Sequence, residues 1–567
     1  MDIKTLYDAN INNITVAKNA YDTLYSAFGQ HIENWQHDVV DRLGHSEWTG
    51  TAAGHANTRI QFLGNELQAA KQELGLISKA LTDAAEGIAA AQSHLISALD
   101  DAKKNKMTVA PDGGITWDKD PNSPNYAGDK AEATAKEIGK RITAALTEAD
   151  HTDQTINARL GHLATNATNG TGLDSATAKA DQTATDALNQ VPAAGTDPNS
   201  VKAWWNGLTD AQQQHMIQTE HDKVGALDGI PATARHQANL INLQRGKERI
   251  QRQLDALGPE PVHNLATYNG QPIKNPDYDD WKQKHDDLED KMHGIETIED
   301  RLNTPVDADH PPAFLLGFDT KGKGHAIVAV NNPDTADNVS TYVPGTGARL
   351  GGSLHSDIER SDLMVASANQ ATGNSKTTSS ITWVGYAAPQ SIVPDAAFDI
   401  FAKAAENDLH SFETGLRATH EGKPSNNTIL GHSYGTTTVG YTLRDKGLPV
   451  DNVVLIASPG VGVEHARDLG VDPSHVFAAQ GDIDSIKFAP PEDADNFASN
   501  LINNAGGSFG FIDEPDHHVA FGRDPSVPQF GAQIIPTSPG TDHSGYWENG
   551  SASLIAMGKA IAGKPIS

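Results

Sequence analysis

Gly431-His432-Ser433-Tyr434-Gly435 places a serine between two glycines, each two residues away. It follows Asn427-Thr428-Ile429-Leu430, which reads as a short buried strand, and precedes Thr436 to Leu443, which reads as a helix. A strand-to-helix turn of this kind forces the serine into a strained, exposed conformation, and only glycine leaves room for the neighbouring backbone. The helix begins at the serine, so its N-terminal amides and dipole point at any oxyanion formed there. Ser433 is the candidate nucleophile, and the amide of Tyr434 a candidate oxyanion donor. A serine at its free pKa needs a histidine base, and that base needs an acid to hold its tautomer. Downstream, a strand over His475–Ala479 ends in Gln480-Gly481-Asp482-Ile483-Asp484-Ser485-Ile486, which offers two aspartates. Thr541-Asp542-His543-Ser544-Gly545 offers a histidine between the last strand and the last helix.

These residues require a scaffold, and the chain from about 312 onward supplies one. Short apolar strands are readable at Phe314–Gly317, Ala326–Val330, Val339–Val343, Ile381–Tyr386, Thr428–His432, Asn452–Ala457, His475–Ala479 and Gln533–Ile535. Helices fit between several of them, notably 395–417, 434–446 and 551–562. Buried strands alternating with helices predict a mostly parallel sheet with helices on both faces. Ligands in such sheets sit at the carboxyl ends of the strands. The serine turn, Val343-Pro344-Gly345-Thr346-Gly347 and Tyr386-Ala387-Ala388-Pro389 all fall there.

The Pro-Gly-Thr-Gly turn, the strand Trp383-Val384-Gly385-Tyr386 and the closing His543-Ser544-Gly545-Tyr546-Trp547 carry a resemblance. Over about 250 residues this region resembles an uncharacterised actinobacterial α/β-hydrolase family related to cutinases. Trp204-Trp205, Gly225 to Pro231, Arg235 and Asn239 resemble the stretch that precedes the hydrolase domain in that family, as a cap or a structural brace. The fold implies the chain order serine, then acid, then histidine. Asp484 is favoured as the acid because Asp-x-Ile matches the family's pattern, with Asp482 as the alternative; whichever is not used caps a turn. His543 is the base. The second oxyanion donor comes from the loop after the third core strand, at Thr346 or Gly347. His432 points the other way on the turn and packs or hydrogen-bonds. Asp513-Glu514-Pro515-Asp516-His517-His518 reads as a solvated acidic loop rather than a metal cluster, so neither a metal nor a cofactor is expected.

The N-terminal region, 1–105, reads as two long helices. One carries Ile14, Ala17, Tyr21, Leu24, Phe28, Trp35 and Val39 on a stripe; the other runs Ile60, Leu63, Leu67 onward to Leu99 at heptad spacing. The tight connection Gly44-His45-Ser46-Glu47-Trp48-Thr49-Gly50 resembles that of the WXG-type helical hairpins of type VII secretion substrates, with Trp48-Thr49-Gly50 as the motif. The hairpin is either such a module or a coiled-coil packing element. The Y-x-x-x-D signal that accompanies such substrates occurs as Tyr441–Asp445, inside the helix after the nucleophile, where it reads as a surface feature of that helix. A middle region, 106–305, is mainly helical. It holds a small hairpin at Met107–Val109 and Gly114–Trp117, a polar low-complexity stretch over about 163–200, and a charged helical stretch over 245–303. That stretch is broken near Pro259-Glu260-Pro261 and Tyr268-Asn269-Gly270. The hydrolase domain occupies 306–567.

At 567 residues the chain exceeds one core. Its charge of -30 argues against nucleic acid or an anionic membrane as a main partner. With no cysteine, disulfides and thiolate chemistry are excluded. No signal-peptide profile or membrane span is readable, so the expected location is either the cytoplasm or, by a route without a cleaved signal, the envelope or exterior. The reading is a serine hydrolase acting on acyl or lipid esters, with export as an effector open to it. The alternative is a secretion-associated binding protein with a WXG-type helical partner, whose hydrolase fold is a non-catalytic carrier.

Overall fold

The computed structural model of the chain describes residues 1–268, 271–307, 310–391, 395–484, 486 and 518–566. Two compact units are present, Met1–Pro192 with Ala203–Met216, and Ala193–Lys202 with Ile217–Ser567.

The first unit is built on four helices, α1 (Ile11–Trp35), α2 (Thr51–Lys104), α3 (Ala131–Asn169) and α4 (Ser175–Leu188). The expected pairing of α1 with α2 is present, and α3 also packs along α2. Ile88, Leu95 and Ala98 of α2 meet Ile138, Ile142 and Ala145 of α3 in a common core, so the heptad stripe serves two neighbours. No residue of α1 is buried. Gly50, at φ 100°, opens α2, and Trp48 before it is exposed. The small hairpin forms as expected, pairing Thr108 with Thr116. The polar stretch continues α3 to Asn169, where Gly170 at φ 83° ends it, and α4 follows under an Asp174 cap on the Thr177 amide.

In the second unit α5 (Ala232–Leu257) and α6 (Pro276–Asn303) precede the sheet. Gly-Ile-Pro does start a helix at Ala232. The sheet comprises β1 (Ala313–Asp319), β2 (His325–Val330), β3 (Asn338–Val343), β4 (Thr378–Val384), β5 (Asn426–His432), β6 (Asn452–Ile456), β7 (Val476–Ala479) and β8 (Gln533–Ile534). Its spatial order is β8-β7-β6-β5-β3-β4-β2-β1. Pairing is parallel from β8 through β4, and β2 and β1 close that edge antiparallel. All eight strands lie within a few residues of their expected positions. The helices are α7 (Leu354–Ala371), α8 (Ile400–Thr419), α9 (Tyr434–Asp445) and α10 (Ala552–Ile561). Of these, α7 is the one the sequence reading passed over: Asp357 and Ser361 sit on its buried side and blur the apolar stripe.

The strands feed two cores with the period of two that a pleated strand imposes. In β6, Val453 and Leu455 join Leu409, Phe412 and Val439 of α8 and α9 on one face. Val454 and Ile456 join Leu554 and Met557 of α10 and Met364 of α7 on the other. The segment before the sheet is tied to β1 as a brace would be: Asn239 donates to the Leu315 carbonyl at 3.3 Å, and the Leu315 amide donates to His236 at 3.0 Å. Tyr441, expected on a helix surface, is instead buried against Phe521, because α9 is covered on that side by the chain that returns at 518–523. Among the described residues, no helix is long and apolar enough to cross a membrane.

The turn into α9 packs closely against the end of β3. A Cβ at Gly435 would lie 2.1 Å from the Val343 carbonyl oxygen, and one at Gly431 would lie 2.6 Å from the Thr436 Cα. Gly435→Ala is therefore expected to force β3 and α9 apart and to destabilise the unit by about 1–3 kcal/mol, the scale of core overpacking. A lowered denaturation midpoint checks this; an unchanged midpoint would show that the contact relaxes freely.

Candidate active site

Ser433 sits at φ 54° and ψ -131°, a backbone conformation that few non-glycine residues adopt. It is fixed from both sides. Its amide donates to the Ile456 carbonyl at 2.9 Å, which locks the turn onto the end of β6. Its carbonyl accepts from the Thr436 amide at 2.9 Å and the Thr436 hydroxyl at 2.7 Å. The residue is 8% exposed, so only a narrow approach to it remains.

Asp484 lies just beyond the end of β7 and is fully buried. One of its carboxylate oxygens accepts from His543 Nδ1 at 2.8 Å and from the Ile486 amide at 3.0 Å. The other accepts from the Tyr546 hydroxyl at 2.6 Å. Burial opposes the charge on Asp484, yet the His543 and Tyr546 hydrogen bonds outweigh it and hold the carboxyl below its ordinary range. Asp482, two residues earlier, is exposed and accepts from the Gly540 amide at 2.9 Å. The acid loop and the histidine loop touch backbone to backbone: a Cβ at Gly481 would lie 2.1 Å from the Thr541 carbonyl oxygen.

His543 is brought beside the serine turn by His432. The His432 Nε2–H donates to the His543 carbonyl at 2.8 Å, and the two rings lie 4.9 Å apart. Trp547 packs edge-on against His432 at 5.1 Å. Burial, with the neighbouring His543 and Arg360, pushes the His432 pKa down to about 3, so the ring stays neutral.

The Pro344–Gly347 turn presses against the serine turn. A Cβ at Gly345 would lie 2.8 Å from the Ser433 Cβ and 2.9 Å from the Tyr434 amide nitrogen. The Gly347 amide donates to the Pro389 carbonyl at 2.8 Å and is thereby occupied. Among the described residues, the amides of Thr346 and Tyr434 have no hydrogen-bond partner. Ser433, Tyr434, Asp484, His543 and the Thr346 turn are thus brought together at the carboxyl ends of β3, β5 and β7. Tyr546 is the participant that sequence reasoning missed. It lies inside the His543–Trp547 motif, but its link to Asp484 spans 62 residues and follows from the fold. Of the acidic 513–518 loop, residues 513–517 lie outside the described residues, and His518 pairs with Glu464 at 2.8 Å. Among the described residues, no group of three or more potential ligands could hold a metal ion.

A family profile described as alpha/beta hydrolase matches residues 319–494. The uncharacterized protein Rv0963c of Mycobacterium tuberculosis is 33% identical over 211 residues, which cover 36% of this chain and 77% of that protein. The uncharacterized protein Rv2079 of the same organism is 28% identical over 457 residues, 77% of this chain. The chain spans 65% of the length of Rv2079. Among solved structures, a hyperthermophilic esterase from the archaeon Pyrobaculum calidifontis matches at 13% identity with a TM-score of 0.27, covering 49% of this chain and 93% of that one. The chain belongs to this α/β-hydrolase family.

His432 ties stability to pH. Its folded pKa of about 3 lies below the ordinary 6.5. Above pH 6.5 neither state binds the proton; as pH falls toward 3, the unfolded chain binds one that the folded chain refuses, and stability is lost. At pH 5 the loss is roughly 2 kcal/mol. Asp484, with its lowered pKa, adds to it only below about 3.8. His432→Asn is expected to remove the loss between pH 6.5 and 5, checked by urea midpoints at both pH values. Equal slopes in variant and parent would place the acid sensitivity elsewhere.

Proposed function

We propose that this chain is a serine hydrolase that cleaves carboxylic esters by acylation of Ser433. The observation that carries the reading is the bond from His543 Nδ1 to the fully buried Asp484, formed beside a serine held at positive φ. With Nδ1–H committed to Asp484, the His543 Nε2 lone pair is the base that takes the Ser433 proton. Serine oxygen attacks the ester carbonyl, and the oxyanion receives the amides of Tyr434 and Thr346 at the start of α9. Gly347, whose amide is bonded to Pro389, is left out of that role. His543 returns its proton to the departing alkoxide. A water, deprotonated by the same nitrogen, then releases the acid. Asp482 serves as the cap of the 540 turn in this scheme.

An acyl or lipid ester fits best. The exposed side chains of Phe398 and Ile400 border the segment bound by the Tyr434 hydroxyl, and Ile483 is exposed next to Asp484. Exposed apolar side chains on segments that adjoin the site support a hydrocarbon acyl group.

The first unit favours a second, compatible reading, that of an exported effector with a helical partner. Trp48 of the W-x-G turn is exposed, as are Val16, Leu24, Tyr25 and Phe62 around α1 and α2. Detection of the protein in culture filtrate without lysis supports export; its confinement to the cytosol removes that reading and leaves the hydrolase intact.

The purified chain is expected to turn over p-nitrophenyl acyl esters and to be labelled by a fluorophosphonate. Ser433→Ala should lose both. Asp484→Asn should lower kcat by about 10³–10⁴-fold, because the histidine loses the partner that fixes its tautomer. A parent chain with neither turnover nor label would discard the hydrolase in favour of a binding role.

A further inference from the structure

The oxyanion turn is held by a helix that precedes the sheet and lies outside the family match at 319–494. Arg349, four residues after Gly345, donates Nε to Asp290 of α6 at 2.6 Å and Nη2 to its other oxygen at 3.4 Å. The same guanidinium donates Nη1 to the Gly347 carbonyl at 3.2 Å, so one planar group spans helix and turn. Asp290 also accepts from the Gly352 amide at 3.1 Å. Close backbone contact fixes the spacing. A Cβ at Gly294 of α6 would lie 1.9 Å from the Leu350 carbonyl oxygen, and one at Gly351 would lie 2.4 Å from the Asp290 carbonyl oxygen. On its other side the turn is gripped by the 386–390 segment. The Tyr386 hydroxyl donates to the Pro344 carbonyl at 2.7 Å, the Gly347 amide to Pro389, and Gln390 Nε2 to the Ala348 carbonyl at 3.2 Å.

We infer that Asp290 and Arg349 are positioning residues for the oxyanion turn, and that α6 is part of the catalytic apparatus. The inference rests on the serine-hydrolase reading. A flexible turn would present the Thr346 amide in many orientations, and hydrogen-bond donors stabilise a developing charge only when fixed in advance. The guanidinium fork suits the task because its planar donors reach a carboxylate and a carbonyl at once; a lysine ammonium is a point charge on a flexible stem. Arg349→Lys therefore keeps an ion pair with Asp290 and loses the bridge.

The test compares the full-length parent with Arg349→Lys, Arg349→Ala, Asp290→Ala and Asp290→Glu. The first three are expected to lose roughly ten- to a hundredfold in kcat on a p-nitrophenyl ester, the scale of a small misplacement of catalytic groups. KM should stay within about twofold, and fluorophosphonate labelling of Ser433 should slow in proportion, since phosphonylation uses the same donors. Asp290→Glu should recover part of the loss. Amide hydrogen exchange over 345–352 should quicken in the three variants while the amides of β5 and β6 keep their protection, which separates a loosened turn from a destabilised unit. Parent-like labelling and kcat in Arg349→Ala overturn the inference, whether or not exchange quickens, and leave the hydrolase standing as long as Ser433→Ala is dead. A parent that neither hydrolyses nor labels overturns both.

Discussion

Much of the second unit is arranged to hold one residue in a conformation it would not choose. A non-glycine residue at φ 54° costs on the order of 1–3 kcal/mol and persists only where its surroundings over-determine it. Here they do. Gly431 and Gly435 let β5, β3 and α9 approach to distances that any side chain would block, and the Ile456 carbonyl takes the Ser433 amide. The sheet order puts β3 and β6 on either side of β5, so the strand that delivers the serine is flanked by the two strands that restrain it. The strain is thus balanced by the packing of the parallel sheet, and the geometry of the turn is inseparable from the register of its neighbours.

The second constraint is a buried charge. A carboxylate withdrawn from water is tolerated only with its lone pairs occupied, and Asp484 has an imidazole, a phenol and an amide directed at it. Tyr546 does double service, since its oxygen also accepts the Gly481 amide at 2.6 Å. The Asp484 loop and the His543 loop are thereby fastened at three points: side chain to side chain, phenol to amide, and Gly481 against Thr541. His432 adds a fourth from the serine turn. A neutral, buried histidine that donates to the backbone of His543 places the His543 loop by the same strand that carries Ser433.

How much of this could be read from the sequence follows from the range of each interaction. Strand positions were legible because β5 and β6 bury residues in a core on each face, so that each reads as a short continuous apolar run, a local signal. The serine turn was legible because Gly431 and Gly435 bracket Ser433 within one pentapeptide between a strand and a helix, although the contact that requires Gly435, the Val343 carbonyl, comes from a distant strand. Helix α7 was obscured because its inward face carries Asp357, bound to Tyr342, Ser353 and Arg360, where an apolar residue would have marked it. The two aspartates near β7 could not be separated by spacing alone, since their environments differ only through residues near 540 that the fold brings to them. Thr346 and Gly347 were likewise equivalent on paper; the Pro389 carbonyl distinguishes them, and nothing in the local sequence announces that bond.

The proposed functional unit reaches past both ends of the family match. The family match at 319–494 contains Ser433, Tyr434, Thr346 and Asp484, yet stops before His543 and Tyr546 and starts after Asp290. The proposed triad includes His543, so the match covers a core of the proposed site rather than all of it. On the N-terminal side, α5 is tied to the edge strand β1, and α6 to the turn that faces the serine. An edge strand left uncovered exposes unpaired backbone groups, and a turn left unheld loses its fixed dipoles. Both needs are met by residues between 232 and 303, whose sequence reads as a cap or brace followed by a charged helical stretch. Their work lies in what they hold in place, and it is legible only where a guanidinium or a glycine records the contact.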